Sequence, residues 1–485
     1  MGRVRPSGRR YDPGIGPNVL LVVMDTARAD AFEPYGAPPG ATPAVTQIAS
    51  RGGFQRYAYA PACWTVPSHA SMLTGLLPRD VGLGQAPEGP VGVRPVMESL
   101  ANHLLPERLR HAGWHTAGVS ANHWIAEHSG FATGFDDWRK VVGGRSHRFY
   151  GSGWRSRLAW DIQGVRAQTD DGAAEVETVI REWIANRRQP FFWFVNLIEC
   201  HSPYLPPRPD NDLSALQRLR AAEEARRYLT FVGILRACAG GFDIPDGALE
   251  RMRHLYARSV RVMDDWLARV LDAMEAAGLL DDTIVIVTSD HGENLGEGRL
   301  IGHAFSLDDR LIRVPFVSSH PIADPEHVLG LADVPRLLAD ALGLDDHPWG
   351  DGELRSGVAV AQLDPFASPD DPRILKFLDD WDLGDEGARR MTTGATAATD
   401  GQLKLVRRGQ EELLYDLTAD PLELRPHSVS DIEEPVRIAT LQAAIDDATD
   451  PRPVFGLVHV EQPADAISAE ELDRIEQQMK LLGYM

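Results

Sequence analysis

Cysteine is nearly missing from this chain: Cys63, Cys200 and Cys238 are the only three in 485 residues. Three scattered thiols exclude a disulfide framework and a thiolate zinc site. Lysine is scarce as well. Of 49 basic residues only Lys140, Lys376, Lys404 and Lys480 are lysine, a bias that reads as coding preference. Positive charge is short overall, and the formal net charge is −21. That argues against nonspecific binding to nucleic acid or to an anionic membrane surface. Long hydrophobic runs are absent too. The apolar stretch Val19–Met24 is far too short to span a bilayer. The basic start, residues 1–10, runs into Tyr11-Asp-Pro-Gly14 instead of an apolar h-region. With no signal peptide read, the expected location is cytoplasmic. The expected partner is a small molecule, with neither nucleic acid nor membrane and with the oligomeric state open.

What is present is an ordinary globular composition, 43% apolar and 25% charged. Asn18–Met24, Pro190–Leu197 and Thr283–Thr288 are continuous apolar runs, the pattern of strands buried on both faces of a parallel sheet. Val314–Val317 starts a fourth. Helical patterns lie between them, over Thr42–Gly52, Leu100–Ala112, Ala173–Arg187 and Glu250–Ala277, with a helical excursion or lid over 208–248. Such alternation predicts an α/β fold: a doubly wound mixed, mostly parallel sheet flanked by helices. Hairpin strands at Gly401–Arg407 and Glu412–Asp416, and a helix over Glu470–Leu482, predict a smaller C-terminal α+β subdomain. The expected division is an arm (1–17), a catalytic domain (18–345), an acidic linker or loops rich in Gly and Pro (346–395) and the C-terminal subdomain (396–485).

The chain is organised around Ala62-Cys-Trp-Thr-Val-Pro-Ser-His-Ala-Ser-Met-Leu-Thr-Gly75. Thr65 is placed just ahead of a short helical run, Ser68–Leu73, where the positive end of a helix suits an anionic substrate. The plainer reading is that Thr65 or Ser68 merely caps that helix. Asp25 ends the first strand, and Asp290 and His291 follow the third, at the end where open α/β sheets place ligands. Two carboxylates, an imidazole and a hydroxyl make a site for a hard to borderline divalent metal: calcium, magnesium, manganese or zinc.

These residues resemble the sulfatase family of the alkaline phosphatase superfamily. The resemblance rests on Asn18-Val-Leu-Leu-Val-Val-Met-Asp25, Cys63-Trp-Thr-Val-Pro-Ser-His-Ala-Ser-Met-Leu-Thr-Gly75, Ser289-Asp-His-Gly-Glu293 and Arg313-Val-Pro-Phe316. Leu414-Tyr-Asp-Leu-Thr-Ala-Asp-Pro421 and Leu482-Gly-Tyr484 complete it, all in family order. It implies metal ligation by Asp25, Thr65, Asp290 and His291. It implies substrate contacts by His201, His303 and His123. The departures are as informative. Thr65 stands where the family carries the residue converted to formylglycine, and His69 where it carries Arg. Thr26 replaces the second of a tandem acid pair. His123 alone remains of a Lys-Trp-His segment, and His303 takes the place of a second Lys. Formylglycine is therefore not expected. Threonine nucleophiles in this superfamily are typical of phosphodiesterases and phospho-group transferases. Those relatives hold a second metal, for which Glu199, His201 and His303 are the candidates here.

The expected function is metal-dependent hydrolysis of a phosphate or sulfate ester by nucleophilic attack of Thr65. The alternatives are phospho-group transfer to an acceptor alcohol and a noncatalytic binding protein on the same fold. The plainer readings are His201 as a cap of the Pro-rich turn that follows it, His123 and His303 as packing or loop histidines, and His69 as a helix-surface residue.

Overall fold

The computed structural model describes residues 16–85, 89–141, 154–186, 188–303, 305–350 and 357–449. Its frame is a seven-stranded sheet built from β1 (Asn18–Met24), β2 (Gly53–Phe54), β3 (His115–Ser120), β4 (Asp137–Lys140), β5 (Phe191–Leu197), β6 (Thr283–Thr288) and β7 (Phe316–Ser318). The spatial order is β2-β7-β6-β1-β5-β3-β4. The pairs β1–β5, β1–β6, β3–β5 and β3–β4 are parallel, whereas β7 runs antiparallel to both β6 and β2.

Strand β1 shows why the sheet has two covers. All seven of its residues are buried. Leu20, Val22 and Met24 face one core, shared with Trp266 and Leu267 of the helix Asp246–Ala276 and Ile180 of the helix Ala173–Asn186. Val19, Leu21 and Val23 face the other, shared with Val66, Ala70 and Leu73 of the helix Thr65–Thr74 and Leu338 of the helix Val334–Leu342. The period-2 alternation of side chains thus feeds helices on both faces. The parallel strands β1, β3, β5 and β6 all end on one edge, so the residues that follow them meet there.

A separate four-stranded antiparallel sheet forms the C-terminal part: β8 (Ala359–Leu363), β9 (Ala395–Thr399), β10 (Leu403–Arg408) and β11 (Glu411–Asp416), in that order. The helix Pro435–Thr449 packs on it through Ile438, Leu441 and Ile445. The expected hairpin is thus present, but the linker reading of 346–395 is corrected. That stretch carries β8 and two helices, Pro372–Asp380 and Asp385–Thr392. Its acidic turns conceal a five-residue buried strand. The region 208–248 holds two helices, Ala215–Tyr228 and Phe231–Cys238. Most of the expected arm, the helix over Glu470–Leu482 and the Leu482-Gly-Tyr484 landmark lie outside the described residues. Among the described residues no helix is long and apolar enough to cross a membrane.

Candidate metal and ester-cleavage site

Asp25, Asp290 and His291 converge at the sheet edge with their ligand atoms within 4.8 Å of one another, all three residues buried. Each has one face fixed and one face open. Asn122 Nδ2, just beyond β3, donates to Asp25 Oδ2 at 2.6 Å, while Asp25 Oδ1 has no hydrogen-bond partner. Asp290 Oδ1 accepts the backbone N–H groups of Thr26 (3.2 Å) and His291 (2.9 Å). Asp290 Oδ2 makes no hydrogen bond, with His69 Nδ1 and His291 Nε2 standing 3.3 and 3.4 Å away. His291 Nδ1 donates to the Gly292 carbonyl at 2.9 Å. That bond sets the tautomer and leaves the Nε2 lone pair facing the site.

The electrostatics are those of a site short of positive charge. Burial, and then the charge of Asp290, push Asp25 up to about 8. Asp290 goes the other way. Burial would raise it, but His291 and His69 together hold it below the usual carboxylate range. Burial lowers His291 to about 4, so its imidazole is neutral at neutral pH. Two unsatisfied buried carboxylate oxygens and a neutral imidazole nitrogen fit a divalent cation with oxygen-rich ligation.

Thr65 stands beside this set. Its Oγ1 lies 3.3 Å from His291 Nε2. The helix begins at Thr65 itself, with Trp64 as N-cap and no side-chain cap bond. The expectation that Thr65 precedes the helix, and the capping reading, are both corrected. Ser68 is no cap either: its Oγ donates to the Asp290 carbonyl at 2.5 Å. His69 was open to a helix-surface reading, yet it is completely buried. Its Nδ1 lies 3.0 Å from the Thr65 carbonyl, and Asn196 Nδ2 approaches its Nε2 at 3.3 Å. Burial would lower the His69 pKa, but Asp290 and then Asp25 outweigh it and raise the value. The helix ends at Gly75, whose φ of 77° and contact with Trp349 both require glycine: an added Cβ would stand 2.5 Å from Trp349 Cδ1.

The other expected residues divide. His201 and His303 do reach the site. The His303 ring centroid lies 4.6 Å from that of His291 and 5.0 Å from that of His201. His303 Nδ1 is held by Glu293 Oε1 at 3.0 Å, and His201 Nδ1 by the Ser202 carbonyl at 3.0 Å. Burial and His303 lower the pKa of His201, whereas Glu293 overcomes burial and raises that of His303. His123 is buried and packs against His128, ring centroids 4.9 Å apart. Its neighbour Asn122 is the one that reaches Asp25. Glu199 is corrected as a metal candidate. Both its carboxylate oxygens are spent on backbone N–H groups of Asp171 and Ala173, where it fastens the start of the helix Ala173–Asn186. Thr26 has a φ of 60°, and its hydroxyl turns back to the Asp25 carbonyl at 2.7 Å. It therefore serves Asp290 through its backbone N–H.

Sequence reasoning missed Asn122, Glu293 and Asn196 as contributors. Asn122 follows a strand of the same sheet by two residues, and the strand-end rule that singled out Asp25 could have found it.

Known proteins match this picture. The family model described as Sulfatase matches residues 17–343. A choline-sulfatase of Rhizobium meliloti (strain 1021) is 24% identical over 475 residues, which is 88% of this chain and 85% of the relative. A multifunctional alkaline phosphatase superfamily protein of Trinickia caryophylli is 28% identical over 146 residues, 27% of this chain and 28% of that one. The crystal structure of a phosphonate monoester hydrolase of Agrobacterium radiobacter superposes with a TM-score of 0.63 at 20% identity, covering 89% of this chain and 95% of that one, a likeness of fold. The Sulfatase model spans more than half of the sequence and takes in Asp25, Thr65, Asp290 and His291, and the chain belongs to the sulfatase family of ester hydrolases within the alkaline phosphatase superfamily.

Proposed function

We propose that the protein is a metal-dependent phosphoesterase whose nucleophile is Thr65. The observation that carries this reading is Thr65 Oγ1 at 3.3 Å from His291 Nε2, beside the two unsatisfied carboxylate oxygens. Asp25, Asp290 and His291 would hold the metal, and a bound divalent cation supplies polarisation of the transferring group and easier ionisation of a nearby hydroxyl. At the positive end of its helix, Thr65 meets an anionic group in a favourable field. The Thr65 hydroxyl gives its proton to solvent as its Oγ forms a bond to phosphorus and the ester P–O bond breaks. The departing alkoxide takes a proton from His303, whose pKa is raised, with the His201 ring packed beside it. Water then attacks phosphorus and returns a proton to the histidine, the Oγ–P bond breaks, phosphate leaves, and the Thr65 oxygen takes a proton from solvent. Formylglycine hydrate expels sulfate by elimination from a geminal diol, and threonine has no second hydroxyl to do this. A threonine sulfate would persist, so phosphate esters are the favoured substrates.

A panel of aryl phosphates and aryl sulfates, run with and without chelator, tests the reading. Phosphate esters should turn over faster, chelation should stop turnover, and added divalent metal should restore it. Chelator-insensitive cleavage, or faster turnover of the sulfates, contradicts it. The histidines make a separate prediction. His201→Ala and His303→Ala should slow alkyl esters by about 10²–10⁴-fold, the range of general acid help, and activated aryl esters much less. Equal slowing of both removes the leaving-group role.

A further inference from the structure

Apart from the Asp25, Asp290 and His291 site, a cavity of about 340 Å³ opens between the sulfatase-type domain and the C-terminal sheet region. Four arginines, Arg28, Arg56, Arg310 and Arg313, line it together with Tyr57 and Leu422. Two of them are fully committed. Arg28 pairs with Asp30 at 2.7 Å and Glu297 at 2.8 Å. Arg310 pairs with Asp308 at 2.9 Å and also donates to the Leu422 carbonyl. The carboxylates on the wall are committed too, Asp30 to Arg28 and Asp309 to Lys404 at 2.9 Å.

Arg313 differs. Its Nη2 donates to the Arg56 carbonyl at 3.0 Å, but its Nε is buried without a hydrogen-bond partner. Its guanidinium carbon lies 5.8 Å from the centre of the Tyr57 ring. Arg56 has a single ion pair, to Glu326 at 3.2 Å, with side chains 54% and 66% exposed. So loose a pair on the surface contributes little and leaves the Arg56 fork available. The outer N–H groups of a guanidinium match the geometry of a tetrahedral oxyanion.

We propose that this cavity binds a small organic phosphate or sulfate ester, with the oxyanion on Arg313 and Arg56 and the organic part against Tyr57 and Leu422. Its volume lies at the lower end of small-molecule sites. The site shares a wall with the catalytic segment. The Arg310 carbonyl accepts from Glu293 N at 3.1 Å, and the Leu311 carbonyl accepts from Gly292 N at 2.7 Å. Binding there is nevertheless independent of the chemistry at Thr65.

Calorimetric titration with phenylphosphonate, whose P–C bond an esterase does not cleave, tests the site. The Asp290→Asn protein, its metal site disabled, should retain one binding event. Adding Arg313→Met or Arg56→Met should weaken that event by about tenfold or more, the factor carried by one charge-assisted hydrogen bond. Inorganic sulfate should compete for it more weakly, because it leaves the Tyr57 wall uncovered. No binding to the Asp290→Asn protein overturns the proposal, as does a binding event that both arginine substitutions leave unmoved. Arg56 is half-exposed, so its variant decides the matter if Arg313→Met fails to fold.

Discussion

Asp290→Asn is expected to empty the metal site and abolish turnover together. Asp290 supplies one of the two buried carboxylate oxygens that lack a partner, and its other oxygen is already held by two backbone N–H groups. An asparagine oxygen can keep those backbone bonds but brings no negative charge to the cation. Metal affinity should therefore fall by more than the ~10–100-fold that loss of an outer-shell partner costs. Asn122→Ala, which removes such a partner from Asp25, should fall within that range. The folded state also loses the attraction of Asp290 for His291 and His69, so the variant has to be shown to be folded. Elemental analysis beside a melting curve separates the outcomes. Unchanged metal content in a folded Asp290→Asn protein sinks the ligand assignment.

Lys404→Met should produce the largest loss of stability. Lys404 is completely buried on β10, with its ammonium 2.9 Å from Asp309, 2.5 Å from Glu423 and 2.9 Å from the Leu307 carbonyl. Burial alone would lower the Lys404 pKa, but Asp309 and then Glu423 raise it, so the ammonium stays charged. The two carboxylates compete for it. Glu423, the more buried, is raised to about 8 because burial outweighs Lys404. Removing the cation leaves the Asp309 carboxylate without its counter-charge and Glu423 as a buried acid without its partner, a change that costs about 3–5 kcal/mol. The bond ties the C-terminal sheet to residues 307–309, so the loss should appear as a lower denaturation midpoint. A pair exposed to solvent would be worth under about 1 kcal/mol. A shift that small would mean that water reaches the triad. Adding Glu423→Gln to Lys404→Met should recover part of the loss.

These two residues also mark what the sequence discloses. The strands β1, β5 and β6 were legible because both faces are buried and their residues read as unbroken apolar runs. Asp25 and Asp290 were legible because strand ends are where such sheets place chemistry. The helix start was expected at Ser68, three residues later than its place at Thr65. The structure places Pro67 third. Its missing N–H costs nothing there, since the first four N–H groups of a helix have no partner within it. Strand β8 was hidden by its acidic, proline-containing flanks and by its position at the edge of a small sheet. Asn122 and Lys404 act across long separations, 97 residues to Asp25 and 95 to Asp309. No local pattern announces contacts of that kind; only the completed topology brings them together.

The central claim is that Thr65 becomes covalently esterified during turnover. Thr65 Oγ1 would form the bond to phosphorus, and the second step must clear it by attack at the same atom. The most direct measurement is mass spectrometry of the protein quenched during steady-state cleavage of an aryl phosphate. The account predicts a gain of one phosphoryl group on the peptide that carries Thr65, absent from Thr65→Ala, which should be inactive. Efficient multiple-turnover sulfatase activity with Thr65 unmodified, or activity that survives in Thr65→Ala, would contradict it.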